Sequence, residues 1–502
     1  MSEAGGRAGH AAPIRVVKNS IWLIAQPLLM NAISLFAIAY IARGLPKDDY
    51  GRFIYALSFI TMFMPLTNLG LRLLTVRDIA TSRTRPDLSE YIGRMLMLRF
   101  SLAVIGAALA IGVVSFLQKS PDTRHVVYLA TCIILLQGLT TTVTDVFQAF
   151  ETMRHVAQVQ FVSGFVLTVL SVAAIFFGYG LIGLMASYVI GNFIGAVLSL
   201  YYLRAKYATP RLSIDFRFWK ESLVKAAPFF FPTLISQTGR QLGVVILGNT
   251  AGAAAVGTYG AASTLMDKLN IIPDGVCTAL FPTLAATFKT SQEEAAALYR
   301  RFFGYFLILA LPIAVGTAVL ARPIILLLYG ARYQSSPIIL ALLVWALFIS
   351  FFTQLQSWTS GAIHQERKVF FVPIASTVCY LIAVAALVPR HAELGLAIAT
   401  VVPWAVMFIL FGSIIRRHLV ARQIEPLLVF KVLVAAGVMG AATFAVRNLP
   451  IFVSIPVGAV TYAAMVLGLR IVSPKELSAL RALLRKKRAP SETAASAESA
   501  AS

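Results

Sequence analysis

Fourteen stretches of roughly twenty apolar residues follow one another along this chain, and nothing large lies between them. A bilayer core about 30 Å thick is crossed by about 20 helical residues at 1.5 Å rise per residue. The pattern predicts crossings at 19–42, 51–74, 91–117, 125–149, 155–178, 181–203 and 225–248. It predicts seven more at 254–286, 301–321, 336–357, 368–388, 393–415, 428–446 and 450–470. An all-α integral membrane protein with fourteen transmembrane helices follows. Its machinery must be made of the spans themselves, which excludes most soluble chemistries.

The 502 residues are 58% hydrophobic and only 13% charged, so a soluble globule is excluded. A net charge of +22 would point to nucleic acid in a soluble protein. Here most of the 43 Lys and Arg residues fall on one set of alternating loops and termini. That side holds Arg7, Arg15 and Lys18, then Arg77, Arg83 and Arg85, the mid-chain Arg204 to Lys220, and Arg485 to Arg488. The positive-inside rule places both termini in the cytoplasm, which requires an even number of crossings. Fourteen satisfies it. The basic surplus is therefore topological, and it faces membrane lipids rather than nucleic acid. Cys132, Cys277 and Cys379 all lie within apolar spans without metal spacing and are read as structural. The first apolar stretch is too long for a cleaved signal and reads as a retained anchor.

The chain divides into a disordered cytoplasmic N-terminus (1–14), a six-helix unit (15–203) and a cytoplasmic linker (204–222). A second six-helix unit (223–416), two appended helices (417–472) and a basic juxtamembrane helix with a disordered tail (473–502) complete it. Ser473-Pro-Lys-Glu476 has capping-box spacing, and Leu477, Leu480, Leu483 and Leu484 share one face beneath basic neighbours. Such a helix suits an anionic leaflet; a solvated basic tail is the alternative. Gly51-Arg-Phe-Ile-Tyr-Ala56 follows the first span of the first half, and Gly257-Thr-Tyr-Gly-Ala-Ala262 follows that of the second. The shared G-x-aromatic-x-x-A at matching places indicates parallel repeats about an axis along the membrane normal.

Ionisable groups at a helix centre cost roughly 2.5–3.5 kcal/mol on insertion scales, so they normally face protein or water. Span 7 carries Thr233, Gln237 and Arg240 as one stripe at i, i+4, i+7, with Gln241 beside it. Span 8 carries Asp267, Asn270 and Asp274 on one face, with Lys268 about 100° round. Pro273 and Gly275 can break this long span beside them. An Arg240–Asp267 pair could merely lock the two helices. Two cations, two carboxylates and a kink exceed what one lock needs, so a cationic, polar cavity lining is preferred. Asp267, Asp274 and Asn270 are the candidates for an ion-coupling site, taking a proton or sodium, or for ion pairs. The first half adds Asn31, Arg52, Arg72, Arg99 and Asp145. Snorkelling suits Arg52, Arg72 and Asp145 near span ends, whereas Arg99 lies about two turns inside span 3. Arg240, Lys268, Arg99, Arg52, Gln237, Gln241 and Asn31 form the predicted substrate-binding set, the Arg residues matching phosphate oxygens.

No residues are read as catalytic and none as metal ligands. The phosphate-binding G-x-x-x-x-G-K-[ST] pattern is absent, the six His residues are scattered, and outward loops are short. A transporter without a cofactor is predicted, and ATP hydrolysis is excluded.

At this point three stretches carry a resemblance. Ile41-Ala-Arg-Gly-Leu-Pro-Lys-Asp-Asp-Tyr-Gly51, Ala321-Arg-Pro-Ile-Ile-Leu-Leu-Leu-Tyr-Gly330 and Phe281-Pro282, the last closing span 8, resemble segments of the Wzx-type O-antigen and polysaccharide flippases. These form the polysaccharide-transporter branch of the multidrug/oligosaccharidyl-lipid/polysaccharide (MOP) exporter superfamily. The resemblance covers roughly residues 15–470. It implies two six-helix bundles arranged as a V that alternate access in a bacterial inner membrane. The cargo implied is an undecaprenyl-diphosphate-linked oligosaccharide for lipopolysaccharide or exopolysaccharide synthesis, with a polysaccharide polymerase and a chain-length regulator as partners. A peptidoglycan-precursor flippase and a cation-coupled multidrug exporter are the alternatives within the superfamily. A membrane glycan transferase or polymerase is the alternative outside it, as is a passive channel.

Overall fold

The structure, a computed structural model, describes residues 30–31, 33–81, 87–117, 119–363, 366–418 and 425–471. The expected tails 1–14 and 473–502, the start of the first span and the juxtamembrane helix lie outside them. Among the described residues there is helix but no strand.

The chain begins with α1 (Ile33–Gly44). Pro46 then starts α2 (Lys47–Asn68), which bends by 41° into α3 (Leu71–Thr81). The bend falls where Leu69 and Gly70 both take positive φ. Next come α4 (Leu88–Phe116), α5 (Pro121–Ala149), α6 (Met153–Phe176) and α7 (Gly180–Lys206). Ser120 caps α5 and Pro121 fills its first turn, an arrangement that satisfies a free N–H and needs no other. The second half contains α8 (Phe216–Thr250), α9 (Gly252–Leu269), α10 (Ile271–Thr290) and α11 (Gln292–Val319). It continues through α12 (Ala321–Tyr329), α13 (Ser336–Ala362), α14 (Glu366–His418), α15 (Pro426–Ala445) and α16 (Ile451–Gly468). Helices enter the expected linker from both sides, leaving only 207–215 non-helical, and the Asp215 carboxylate caps α8 through the Phe218 amide at 3.0 Å.

Ten described helices are long and apolar enough to cross a membrane, and eleven if the bent α2–α3 pair is one span. That is fewer than the fourteen expected, for three physical reasons. The described part of α1 is short. Gln237, Arg240 and Gln241 dilute the apolar character of α8. And α14 holds two expected crossings in one continuous element. It breaks at Ala392, whose φ is 46° and ψ −124°. Gly395 packs against the Leu387 carbonyl, whereas eight residues of straight helix would separate them by about 12 Å, so the chain turns back here.

One expectation about span 8 holds and one needs correction. The span is interrupted at Asn270, between α9 and α10 and within the polar cluster. Pro273 lacks the N–H that would bond the carbonyl of residue 269 and crowds that carbonyl, so the helix parts four residues upstream. Phe281-Pro282 does not close the span: α10 runs through Pro282 to Thr290.

Helix α2 packs on α4 and α5 of its own half and on α8 and α9 of the other. The repeated motifs themselves meet there. A Cβ on Gly51 would collide with the Ala253 carbonyl, and one on Gly257 would sit 2.7 Å from the Lys47 carbonyl. Two of the stretches carrying the family resemblance also touch: Arg43 Nε donates to the Leu328 carbonyl at 3.0 Å, and just past the second stretch Arg332 donates to the Leu45 carbonyl at 3.3 Å and Tyr333 to that of Ala42 at 3.2 Å. Tyr55 donates to Asn249 at 3.2 Å and Lys119 to the Gly248 carbonyl at 2.6 Å. The two halves are therefore fastened together at the end of the molecule that carries the α8–α9 turn. Gly51→Val should spring this contact open, because backbone, not a flexible side chain, fills the space. Faster labelling of a cysteine placed at Ser263, with protein abundance retained, is the expected readout.

Candidate functional site

Beneath that fastened end lies a cavity of about 920 Å³. Its walls come from α2 (Ser58, Thr61), α8 (Arg240, Gln241), α9 and α10 (Asp267, Asn270, Asp274), α13 (Gln354) and α14 (Tyr380, Trp404), with Asn31 completing it. Both halves therefore contribute. Along the helices Arg240 lies about 15 Å and Asp267 about 22 Å from the α8–α9 turn. Both are too deep for snorkelling to reach the headgroups.

The polar face read for span 8 meets Arg240 of the span 7 stripe here. Arg240, Gln241, Asp267, Asn270, Asp274 and Asn31 all line the cavity. Arg240 and Asp267 are exposed to it, and they act on each other electrostatically without an ion pair within 4.0 Å. The helix lock weighed from the sequence is thus not made in this conformation. Asn270 is already engaged: its Nδ2 donates to the Met266 carbonyl at 3.4 Å, and Ser350 donates to its Oδ1 at 2.9 Å. Its amide bridges the α9–α10 break to α13.

A single cationic cavity is not what the fold builds. Lys268, next to Asp267 but about 100° round α9, lines a second chamber of about 340 Å³ between α1, α6 and α7. Its Nζ donates to Asn31 Oδ1 at 3.3 Å, and Asn31 lines both chambers. The large cavity therefore presents Arg240 against two carboxylates. Neighbouring residues on a helix face different directions, and this separates the two cations.

Three of the predicted binding residues lie elsewhere. Arg99 is fully buried in the first half, donating to Asp145 at 2.7 Å and to Thr75 at 3.2 Å. Asp145 is buried as well and also meets Arg72 at 3.6 Å, so Asp145 is not the snorkelling residue expected, whereas Arg72 is exposed. Arg52 is half-buried at the α8–α9 end, paired with Asp49 at 3.0 Å and Asp122 at 3.3 Å. Gln237 is exposed but lines neither chamber. For Arg99, Asp145 and Arg52 the cause is the same: partners 24 to 73 residues away cannot be read from helical spacing.

The sequence reading missed the aromatic and hydroxyl wall. Tyr380 donates to the Arg240 carbonyl at 3.3 Å, and Tyr259 pairs with Thr400 at 3.1 Å. Ser376, Thr377, Gln354 and Trp404 stand near them. Gln354 inside an apolar span was the one available signal. The cysteines are all unpaired, and among the described residues no cluster of His, Cys, Asp and Glu could hold a metal ion.

Comparison with known proteins adds to this geometry. A family described as polysaccharide biosynthesis protein matches residues 16–288, more than half of the chain. A candidate O-antigen transporter of Shigella flexneri is 22% identical over 405 residues, covering 79% of this chain and 95% of that protein. A candidate lipid II flippase MurJ of Rhizobium meliloti (strain 1021) is 29% identical over 260 residues, 48% of this chain and 46% of its own length. Among solved structures, lipid II flippase MurJ in an inward closed conformation superposes with a TM-score of 0.71 at 14% identity. The match covers 89% of this chain and 99% of that one. An inward-facing multidrug-resistance MATE family transporter of the MOP superfamily gives 0.64 at 14% identity, over 79% and 95% of the two chains. At these identities the likeness is one of fold, and the fold is that of MOP transporters.

Proposed function

The chain belongs to the family of polysaccharide biosynthesis proteins, and on that premise we propose that it is a flippase for a lipid-linked oligosaccharide. The cargo is an undecaprenyl-diphosphate-linked repeat unit of O-antigen or exopolysaccharide type. It passes from the inner to the outer leaflet of the bacterial inner membrane by alternating access, with both termini cytoplasmic. The observation that carries this reading is the deep polar cavity shared by the two halves and shut at the α8–α9 end. Sugars and phosphates need such a path, because an unpaired polar group in hydrocarbon costs several kcal/mol. A polyprenyl tail needs none and can remain in lipid. On this orientation the α8–α9 end faces outward, and its contacts form the outer gate. A polysaccharide polymerase and chain-length regulator would take the cargo on the outer side.

A second reading, a flippase for the peptidoglycan precursor, is favoured by the MurJ-named relative and by the 0.71 superposition. A third reading, a cation-coupled multidrug exporter, is kept because a multidrug-resistance MATE family transporter shares the fold. The two carboxylates in the large cavity would also suit a cationic cargo, so family membership and the Shigella relative carry that distinction. Proteoliposomes separate the three. With a fluorescent undecaprenyl-diphosphate oligosaccharide in the inner leaflet, the protein should make the label accessible to an external quencher. Transport of lipid II in preference would support the second reading, and efflux of a cationic dye alone the third. A lengthened glycan product would mean an enzyme.

A further inference from the structure

We infer, resting on the flippase reading, that the smaller chamber is a separate subsite for the phosphoryl groups and first isoprene units of a polyprenyl-diphosphate lipid, leaving the large cavity to the sugars. Three independent features of the chamber agree on this ligand. Lys268 supplies a cation whose ammonium has three donors, and among the described residues its hydrogen-bond partner is the neutral Asn31 amide at 3.3 Å. Among the described residues no carboxylate lies within 4.0 Å of it. The Ser171 hydroxyl, 1% exposed and lining the same chamber, has no hydrogen-bond partner. A buried hydroxyl left in that state is destabilising unless something else satisfies it. Most of the remaining wall is apolar, with Met30, Ile38, Ile41 and Leu167, while Ser34, Gln160, Thr168 and Tyr188 add polar groups to it.

Phosphate oxygens would complete both polar groups, and an isoprenoid stem would cover the apolar wall. An oligosaccharide would leave that wall facing hydroxyls, and 340 Å³ is at the small end of the range of about 300–1,000 Å³ for ligand sites. The fold also offers the tail a route out. Phe161 lines the chamber, and it and Phe165, one turn on along α6, are 42% and 47% exposed, an apolar step from chamber to lipid. Asn31 lines both chambers, which places the junction between diphosphate and first sugar beside it.

The test uses the purified full chain and geranylgeranyl diphosphate, a sugar-free probe, with binding followed by native mass spectrometry. One probe molecule should bind. Lys268→Gln should weaken it about tenfold or more, the loss expected for a charge-assisted hydrogen bond, and Lys268→Arg should keep it within a few-fold. Ser171→Ala should weaken it by a smaller factor, and Arg240→Gln should leave it nearly unchanged. Loss in Arg240→Gln with retention in Lys268→Gln would overturn the division of labour, while the flippase reading stands. Equal displacement by phosphatidylglycerol would assign the chamber to bulk phospholipid and overturn it as well. Failure of the wild-type chain to move any lipid-linked sugar in the proteoliposome assay is a separate outcome, and it removes the flippase reading itself.

Discussion

Asp145→Ala should remove most of the protein from the membrane, with the loss appearing as degraded or aggregated chain rather than as an inactive transporter. Arg99 is fully buried between α3, α4 and α5, and Asp145 at 2.7 Å is its counter-charge. Thr75 and Arg72 complete the cluster at 3.2 and 3.6 Å. Deleting one partner of a buried pair strands the other, at about 3–5 kcal/mol. That is a large share of the roughly 5–15 kcal/mol that keeps a typical domain folded. Replacing both together with apolar residues of similar volume (Arg99→Met with Asp145→Leu) should restore abundance, because no buried charge is left without a partner and Arg72, which loses Asp145, is exposed to solvent or headgroups. Immunoblotting of isolated membranes and thermal unfolding in detergent read the effect. The restored double variant also decides the role of Arg99. If it is abundant and transports, the cluster is structural; abundance without transport would return Arg99 to the substrate path.

What could be read from the sequence, and what could not, divides along one line. Helical periodicity is local, so the polar faces of α8, α9 and α10 were visible, and Arg240, Gln241, Asp267 and Asp274 do meet around one cavity. The same periodicity put Lys268 about 100° away from Asp267, and the fold turns that angle into a second chamber. The idea of one cationic cavity ignored this angle. Pairings across the bundle carry no such signal. Arg99 with Asp145, Arg52 with Asp122 and Lys268 with Asn31 all depend on how helices far apart in sequence are placed side by side. Tyr380 and Trp404 were hidden for another reason: aromatic residues in apolar spans usually face lipid or core, and only the backward turn at Ala392 brings both onto one wall. The repeat motif was legible as duplication. That its two copies press together, Gly51 on Ala253, is a property of the assembled halves.

Arg240→Ala should abolish or strongly reduce surface polysaccharide while membrane abundance stays normal. The guanidinium is exposed to the cavity and holds no ion pair within 4.0 Å, so its removal strands no buried partner. What is lost is the planar donor fork that cargo oxygens would meet. Arg240→Lys should recover part of the activity, since it keeps the charge and loses the fork. A fall in abundance in both variants would instead favour a helix lock formed in another conformation. Asp267 faces the same cavity and feels the same charge. We propose that it competes with the cargo for Arg240, releasing the arginine when a proton or sodium ion neutralises it and reclaiming it on return. Asp267→Asn should then slow turnover and spare cargo binding. The membrane potential alone also favours outward movement of a negative diphosphate, by about 2.3 kcal/mol per charge per 100 mV. The two drives are separable in proteoliposomes. A coupled transporter speeds up when a proton or sodium gradient is imposed at constant potential, and Asp267→Asn removes that acceleration. Flipping that ignores both ions and follows only the potential would leave Asp267 without a coupling role and make the protein a facilitator, drawn forward by consumption of the cargo outside.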